Sequence, residues 1–377
     1  MHQKDESLVI MLMDSRVFLL KVNLHGIHDG YAPSAKVGHQ FNLKDPNSSE
    51  ADSQVDIRNA FHCDGLLLCT TVDNRLVVWN PFSGETKWIK PRDRYKKTDY
   101  YALGYDDKSS CKQYKILRVG LQDHFWPIKN KYEIYDLASD SWRVLVVPTD
   151  LVLAQYRGGV SIKGTTYWVA RRRADFLISF DFSTEMFQSH SLALPQRSVY
   201  WDVYLPMVGD EQICLLGTSL SVVGEEQLCL LRTSVEDEQL FFNEEQLGLL
   251  GTSLSAFSSR DDFEVWVATT RTGSVMSWRE YIAAAERDSK YISYYEYNFS
   301  HGMSFLADEQ NNVVVVYLSL DNILHVVRKN YHTQVENLGG VSIPSFSVLL
   351  SYVPSLAQIS NKVNSLPGGS LEESTSK

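Results

Sequence analysis

"CDGLLLCTTVDNRLVVWNPFSGETKWI", residues 63–89, compresses two apolar runs, two turns and a tryptophan at each of two run ends into one short stretch. Leu66–Thr71 and Arg75–Trp79 are rich in apolar and β-branched residues and flank Asp73-Asn74, the pattern of a tight β-hairpin. Asn80-Pro81-Phe82-Ser83-Gly84 follows as a second turn, in which proline presets φ and glycine supplies the left-handed geometry that ends it. A third strand then starts near Thr86 and carries Trp88. The stretch therefore reads strand, turn, strand, turn, strand, and nothing in it resembles a catalytic loop.

The same scheme recurs. "YEIYDLASDSWRVL" (132–145) repeats the alternating strand, the Asp-centred turn and the tryptophan opening the next strand, and "LISFDFSTEMFQSHSL" (177–192) repeats it with Phe187 in the tryptophan position. The turn residues Asn80, Asp136 and Asp181 are 56 and 45 residues apart. One four-stranded blade of a β-propeller takes about 40–50 residues, so these spacings predict consecutive blades. "DFEVWVATT" (262–270), with Trp278 after it, and "NVVVVYLSLDNILHVVRKN" (312–330), with Asp321-Asn322 as its turn, extend the series. A blade exposes sheet faces that only its neighbours cover, so the aromatic residues are expected to pack between blades. The predicted fold is all-β, a kelch-like propeller of about six or seven blades, with the first and last sharing strands from both ends of the chain.

The chain has 377 residues, of which 44% are hydrophobic and 12% aromatic, ample for a large core. Its formal net charge of −10 argues against a broad electrostatic grip on nucleic acid or on an anionic membrane. Five cysteines (Cys63, Cys69, Cys111, Cys214 and Cys229) without a CxxC spacing support neither a disulfide framework nor a zinc ribbon, and are expected to be buried thiols of a reducing compartment. The apolar run Leu8–Met13 is too short for a secretory core or a membrane span. A soluble protein of the cytoplasm or nucleus, or both, is the expectation.

Three near copies, "DEQICLLGTS" (210–219), "EEQLCLLRTS" (225–234) and "EEQLGLLGTS" (244–253), mark residues 210–253 as a tandem insertion. Each has the length of a strand plus a turn, so the surplus is expected to form extra hairpins or a protruding loop. Residues 1–7 are expected to be a flexible N-terminus, 8–359 the propeller, and the Gly/Ser-rich 360–377 a disordered tail.

No GxGxxG, P-loop, GxSxG or HExxH is present, which removes the commonest sequence-readable nucleotide, hydrolase and zinc-protease sites. His25 and His28 have HxxH spacing but no third ligand, and read as surface histidines. His62 and Cys63 are adjacent on a predicted strand, face opposite sides and do not chelate together. No catalytic residue, metal ligand or cofactor site is assigned. "ARRRAD" (170–175) reads as the densest positive cluster and as a hairpin tip, where Arg171, Arg172 and Arg173 would fork onto carboxylates or phosphates of a partner. "DHFWP" (123–127) and "VYWD" (199–202) place Trp126 and Trp201 in loops as binding anchors.

The segments "CDGLLLC", "LVVWNPFSGETKWI", "YALGYDDKSSCKQYKILRV", "YEIYDLASDSWRVL", "GTTYWVA", "LISFDFSTEMF", "FEVWVATT" and "SYVPSLAQI" occur in this order. In that series the chain resembles the plant F-box-associated domain, type 1, over residues 8–359. The resemblance implies a kelch-type propeller joined to an N-terminal F-box, serving as the substrate receptor of an SCF-type cullin–RING ubiquitin ligase. The F-box would dock to a Skp-family adaptor and its cullin, and the propeller would hold the protein to be ubiquitinated. Residues 1–60 contain no helical stretch with the Leu-Pro signature of an F-box, and "SRVFLLKVNLHGI" (15–27) already reads as propeller strand. The expectation is thus a non-catalytic interaction module that reaches adaptor and cullin only if an F-box is supplied. The alternatives are a decoy that holds targets without delivering them and, behind it, a propeller enzyme.

Overall fold

The computed structural model describes residues 6–23, 34–46, 54–96, 99–108, 111–123, 129–147, 159–171, 175–192, 217–223, 227–235, 261–272, 275–285, 303–308, 313–318, 323–328, 331–337, 348–352 and 354–359. The described residues form strands and turns, with no helix among them. The strands are β1 (Glu6–Met13), β2 (Arg16–Asn23), β3 (Ser34–Phe41), β4 (Ile57–Cys63), β5 (Leu66–Thr71), β6 (Leu76–Trp79), β7 (Thr86–Ile89), β8 (Tyr100–Asp106), β9 (Gln113–Asp123), β10 (Lys129–Asp136), β11 (Ser141–Leu145) and β12 (Val160–Ile162). They continue as β13 (Thr165–Arg171), β14 (Asp175–Asp181), β15 (Met186–Leu192), β16 (Gly217–Val223), β17 (Gln227–Val235), β18 (Asp261–Thr272), β19 (Val275–Ala285), β20 (Met303–Asp308), β21 (Val313–Leu318), β22 (Ile323–Arg328), β23 (Tyr331–Asn337) and β24 (Val348–Ser351).

Pairing groups them into six antiparallel four-stranded blades among the described residues. The second blade is β4-β5-β6-β7, the third β8-β9-β10-β11, the fourth β12-β13-β14-β15, the fifth β16-β17-β18-β19 and the sixth β20-β21-β22-β23. The first is β24-β1-β2-β3, so the C-terminal strand supplies the innermost position of a blade whose other strands come from the N-terminus. The inner strands β4, β8, β12, β16, β20 and β24 lie next to one another in a closed ring. Closure leaves no end blade with an uncovered face, which is why both termini contribute. The outer strands β15 and β19 also pair in parallel, Ser191 with Val275 and Leu192 with Met276, joining the fourth and fifth blades at their rims. β1 opens at Glu6, and within the repeat region the second copy, 225–234, contributes most of β17, a paired strand of the fifth blade. Residues 236–260 and the tail 360–377 lie outside the described residues.

The opening stretch shows why its runs are apolar throughout. On β5, Leu67 and Cys69 enter the core shared with the first blade, while Leu66 and Leu68 enter the core shared with the third. On β6, Val77 and Trp79 face the first blade, and Leu76 and Val78 the third. Side chains alternate across the sheet, both faces are covered, and an unbroken run results. Each such Leu or Val contributes about 1.5–3 kcal/mol on full burial. Trp79 is 2% exposed and meets Phe41 of the first blade edge to face, at 6.2 Å between centroids. The aromatics thus close gaps between blades as expected. Asp73-Asn74 makes the β5–β6 turn with Asn74 at φ 65°, and Gly84 ends the β6–β7 turn at φ 76°.

Asn80, Asp136 and Asp181 all sit at the turn from third to fourth strand of successive blades. In each, the side-chain Oδ1 accepts hydrogen bonds from backbone amides two and three residues on: Phe82 and Ser83, Ala138 and Ser139, Ser183 and Thr184. These Asx turns are the physical content of the sequence repeat.

Blades also touch backbone to ring. A Cβ placed on Gly104 of β8 would lie 2.1 Å from Cδ2 of Phe182, which is fully buried in the fourth blade. Gly104→Ala is therefore expected to destabilise the chain by about 1–3 kcal/mol, as overpacking does. Urea denaturation checks this, and an unchanged midpoint would show that Phe182 moves freely aside.

Cys63, Cys69 and Cys111 do not share one environment, and Cys214 and the side chain of Cys229 lie outside the described residues. Cys63 and Cys69 are buried thiols, and burial pushes Cys63 up to about 12. Cys111, in the β8–β9 turn, is exposed, contrary to the expectation that all would be buried: that turn lies at the surface, beyond the paired strands.

Candidate interaction surface

Strand direction alternates within each blade, so second-to-third-strand turns and blade-to-blade connections open on one face of the propeller, here the upper. The first-to-second and third-to-fourth turns open on the lower face, as do the start of β1 and the segment 354–359 that follows β24. Asn80 Nδ2 donates to the carbonyls of Ser355 (3.0 Å) and Ala357 (3.1 Å), and Ile359 N donates to Glu85 Oε2 (3.2 Å), latching that segment beneath the second blade.

Charges on the lower face are used between blades. Lys87 of the second blade donates to Leu137 O (2.7 Å) and pairs with Asp140 (3.2 Å) of the third. Lys115 of the third donates to Phe182 O (3.2 Å) and pairs with Glu185 (2.9 Å) of the fourth, which Arg143 also meets. Leu137 and Phe182 each follow the Asx-turn residue of their blade, so one lysine-to-turn contact is repeated at successive interfaces. Lys112 and the Tyr114 hydroxyl converge likewise on Asp64 of the second blade.

These contacts carry a pH signature. Tyr135 and Lys87 hold the Asp140 carboxyl below its ordinary range. Burial pushes Glu185 up, but Arg143 and Lys115 outweigh it and leave the carboxyl below its ordinary 4.5. Burial likewise depresses His62 to about 4 against the pull of Asp64; its Nε2 accepts from Gly65 N (3.0 Å), and its ring meets Tyr352. A depressed histidine stabilises the fold above its unfolded value of 6.5 and loses that contribution as pH falls towards 4. The carboxylates add a second loss below about 4.5. Urea midpoints are expected to fall in both windows, and His62→Gln, which keeps an acceptor for Gly65, is expected to flatten the first alone. A wild-type midpoint constant from pH 6.5 to 4 would contradict the assignment.

The upper face of the third blade is built on a buried arginine. All five N–H donors of Arg118 are engaged: Nε with Asp99 Oδ2 (3.1 Å), Nη1 with Asp93 (2.6 Å) and Glu133 Oε2 (3.0 Å), Nη2 with Arg94 O (3.0 Å) and Asp99 Oδ2 (2.7 Å). The Arg118, Asp99 and Glu133 side chains are only 5%, 1% and 2% exposed. Burial alone would favour the neutral guanidine, but Asp93 and Asp99 hold Arg118 charged, above its ordinary value. Tyr95 covers the guanidinium at 5.7 Å and donates to Ile89 O (2.9 Å). Residues 92–96 of the connection from β7 to β8 are thereby tied down, with Arg92, Arg94 and Lys96 exposed. Arg92 and Lys131 share Glu133 Oε1 and stay 45% and 42% exposed. Arg94 and Lys96 are exposed and, among the described residues, carry no ion pair.

The reading of "ARRRAD" as the densest positive cluster thus needs correction: "IKPRDRYKK" (89–97) holds Lys90, Arg92, Arg94, Lys96 and Lys97 within nine residues. A window count finds it, whereas attention to consecutive arginines passes over it. Arg171 is the last residue of β13, paired with Asp175, at the upper end of a hairpin as expected. Arg172, Arg173, Trp126 and Trp201 lie outside the described residues, as do His25 and His28. The described strand ends that lead towards Trp126, Arg172, Arg173 and Trp201 (β9 and β10, β13 and β14, and the end of β15) all open on the upper face.

Ser179 Oγ lies 2.7 Å from His190 Nε2, but the residues are 2% and 0% exposed, so the contact ties β14 to β15 within the sheet. Among the described residues, no group of three or more His, Cys, Asp or Glu side chains is placed to hold a metal ion.

Comparison with known proteins places this architecture. The model of the F-box associated beta propeller domain matches residues 8–359. A protein of Arabidopsis thaliana named as an F-box protein, At3g23260, is 46% identical over 363 residues, covering 94% of this chain and 85% of that protein. A second so named, At3g21120, is 40% identical over 372 residues, covering 93% and 85%. The F-box/kelch-repeat protein At3g16740 of the same plant is 33% identical over 387 residues, covering 95% and 85%.

Proposed function

The chain belongs to the F-box associated beta propeller domain family, and from that membership we propose that it is the target-capturing module of an SCF-type ubiquitin ligase. It acts by binding and performs no chemistry of its own. A Skp-family adaptor and a cullin join it where an F-box is supplied, in the cytoplasm, the nucleus or both. The observation that carries this reading is the family match along nearly the whole propeller, with relatives named as F-box proteins at 33–46% identity.

The geometry favours the same division of labour. β1 begins on the lower face, so a module joined ahead of it leaves the upper face open to a target. The lysines that face the lower turns of the third and fourth blades are spent between blades, while Arg94 and Lys96 on the upper face carry no ion pair among the described residues.

Affinity capture from plant cell extract with mass spectrometry, run beside a version carrying a grafted F-box, tests the proposal. The graft is expected to recover adaptor and cullin together with other proteins that the ungrafted chain also holds. If the two share no other protein, the receptor reading fails. Accumulation of a shared target when the ungrafted chain is overexpressed would identify a decoy instead.

A further inference from the structure

We propose that the upper face of the third blade, with the β7–β8 connection as its centre, seats an acidic, Asp/Glu-rich peptide segment of the captured protein. The proposal rests on the receptor reading and supplies its recognition chemistry.

Three observations combine. First, the charge balance of the site is positive in a chain of net charge −10. Arg92, Arg94, Lys96, Arg118 and Lys131 stand against Asp93, Asp99 and Glu133, and two of the three carboxylates are buried beneath the cations. Second, the backbone that carries Arg94 and Lys96 is held in place before any partner arrives. Arg118 fixes the Arg94 carbonyl and the Asp93 carboxylate on either side of its guanidinium, and Lys96 N donates to Asp99 Oδ2 (2.9 Å). An ordered connection loses less conformational entropy on binding than a free loop of the same composition. Third, the donors fit carboxylates. Among the described residues Arg92 uses one N–H on Glu133 and Arg94 uses none on an acid, so both retain the paired N–H fork that grips a carboxylate through two hydrogen bonds. Half-buried Tyr95 lies between Arg94 and Lys96, and Tyr and Arg are the residue types that anchor protein interfaces.

A continuous polyanion such as RNA fits less well. It would extend past the basic region over a molecule whose overall charge repels it.

The test is fluorescence anisotropy of the full chain with a short labelled poly-glutamate peptide. Poly-glutamine of equal length and a single-stranded RNA of equal charge serve as competitors. Poly-glutamate is expected to bind, to weaken as salt is raised, and to lose at least about tenfold in affinity in the Arg94→Glu/Lys96→Glu double variant. Lys36→Glu, which removes an exposed cation from β3 outside the patch, is expected to change affinity by less than about twofold. Arg94→Gln/Lys96→Gln gives the same readout without charge reversal if the first pair disturbs folding. Equal binding by both double variants, no preference over poly-glutamine, or tighter binding of RNA would each overturn the proposal. Repeating the capture experiment with the double variant separates the two readings. Targets retained at wild-type level leave the receptor standing and remove only the acidic-segment inference, whereas an empty capture by the wild-type chain removes the receptor reading itself.

Discussion

Arg118→Ala is expected to lower stability by about 3–5 kcal/mol, because it takes the cation from buried Asp99 and leaves Glu133 to the half-exposed Arg92 and Lys131 alone. Asp99 and Glu133 are almost wholly enclosed, and Arg118 supplies Asp99 Oδ2 with two of its donors and Glu133 Oε2 with its arginine partner. Lysine offers three donors from a single point, so Arg118→Lys is expected to recover only part of the loss. Combining Arg118→Met with Asp99→Asn and Glu133→Gln removes the stranded charges and is expected to be markedly more stable than Arg118→Ala alone. Urea denaturation gives the energies, and hydrogen exchange at the Lys96 amide reports whether the β7–β8 connection comes loose first. A loss below about 1 kcal/mol in Arg118→Ala would mean that water screens the cluster as it does an exposed ion pair.

Asn80→Asp is expected to cost a similar amount, about 3–5 kcal/mol, although it is nearly isosteric. The turn itself survives, since an Asp carboxylate caps the same turn in the next two blades. What fails is the other half of the side chain. Asn80 is fully buried, and its Nδ2 donates to two carbonyls of the segment after β24; a carboxylate oxygen there would face both as an unpaired charge. The segment that carries buried Ile359 is expected to become sensitive to protease, and the Ile359 amide, held by Glu85, to lose its protection from exchange. The half-buried Asp136→Asn substitution, at the equivalent turn of the third blade, is expected to change stability by less than about 0.5 kcal/mol. If Asn80→Asp is as mild as Asp136→Asn, the latch contributes nothing to closure.

The candidate surface was legible only in part. A window count over 89–97 exposes the basic connection, because charge is carried by the letters themselves. The base beneath it is not visible there. Arg118 and Glu133 lie within strands whose two faces are both covered, where a charged residue type by itself suggests solvent, and they are buried because acids and bases from separate segments meet and neutralise one another.

By itself the sequence determined the strand-turn-strand unit, its repetition at Asn80, Asp136 and Asp181, and with it the propeller and its family. Those signals are local. Turn residues set φ and accept from amides two or three positions away, and side-chain direction alternates with every residue. The tertiary structure alone decided the six blades among the described residues, the register of β24 against β1, and the assignment of each half of an apolar run to one neighbour or the other. It alone brought Asn80 to Ser355, 275 residues away. Such contacts follow from closing a ring in which every sheet face must be covered and every buried polar group paired, and no window of adjacent residues contains that condition.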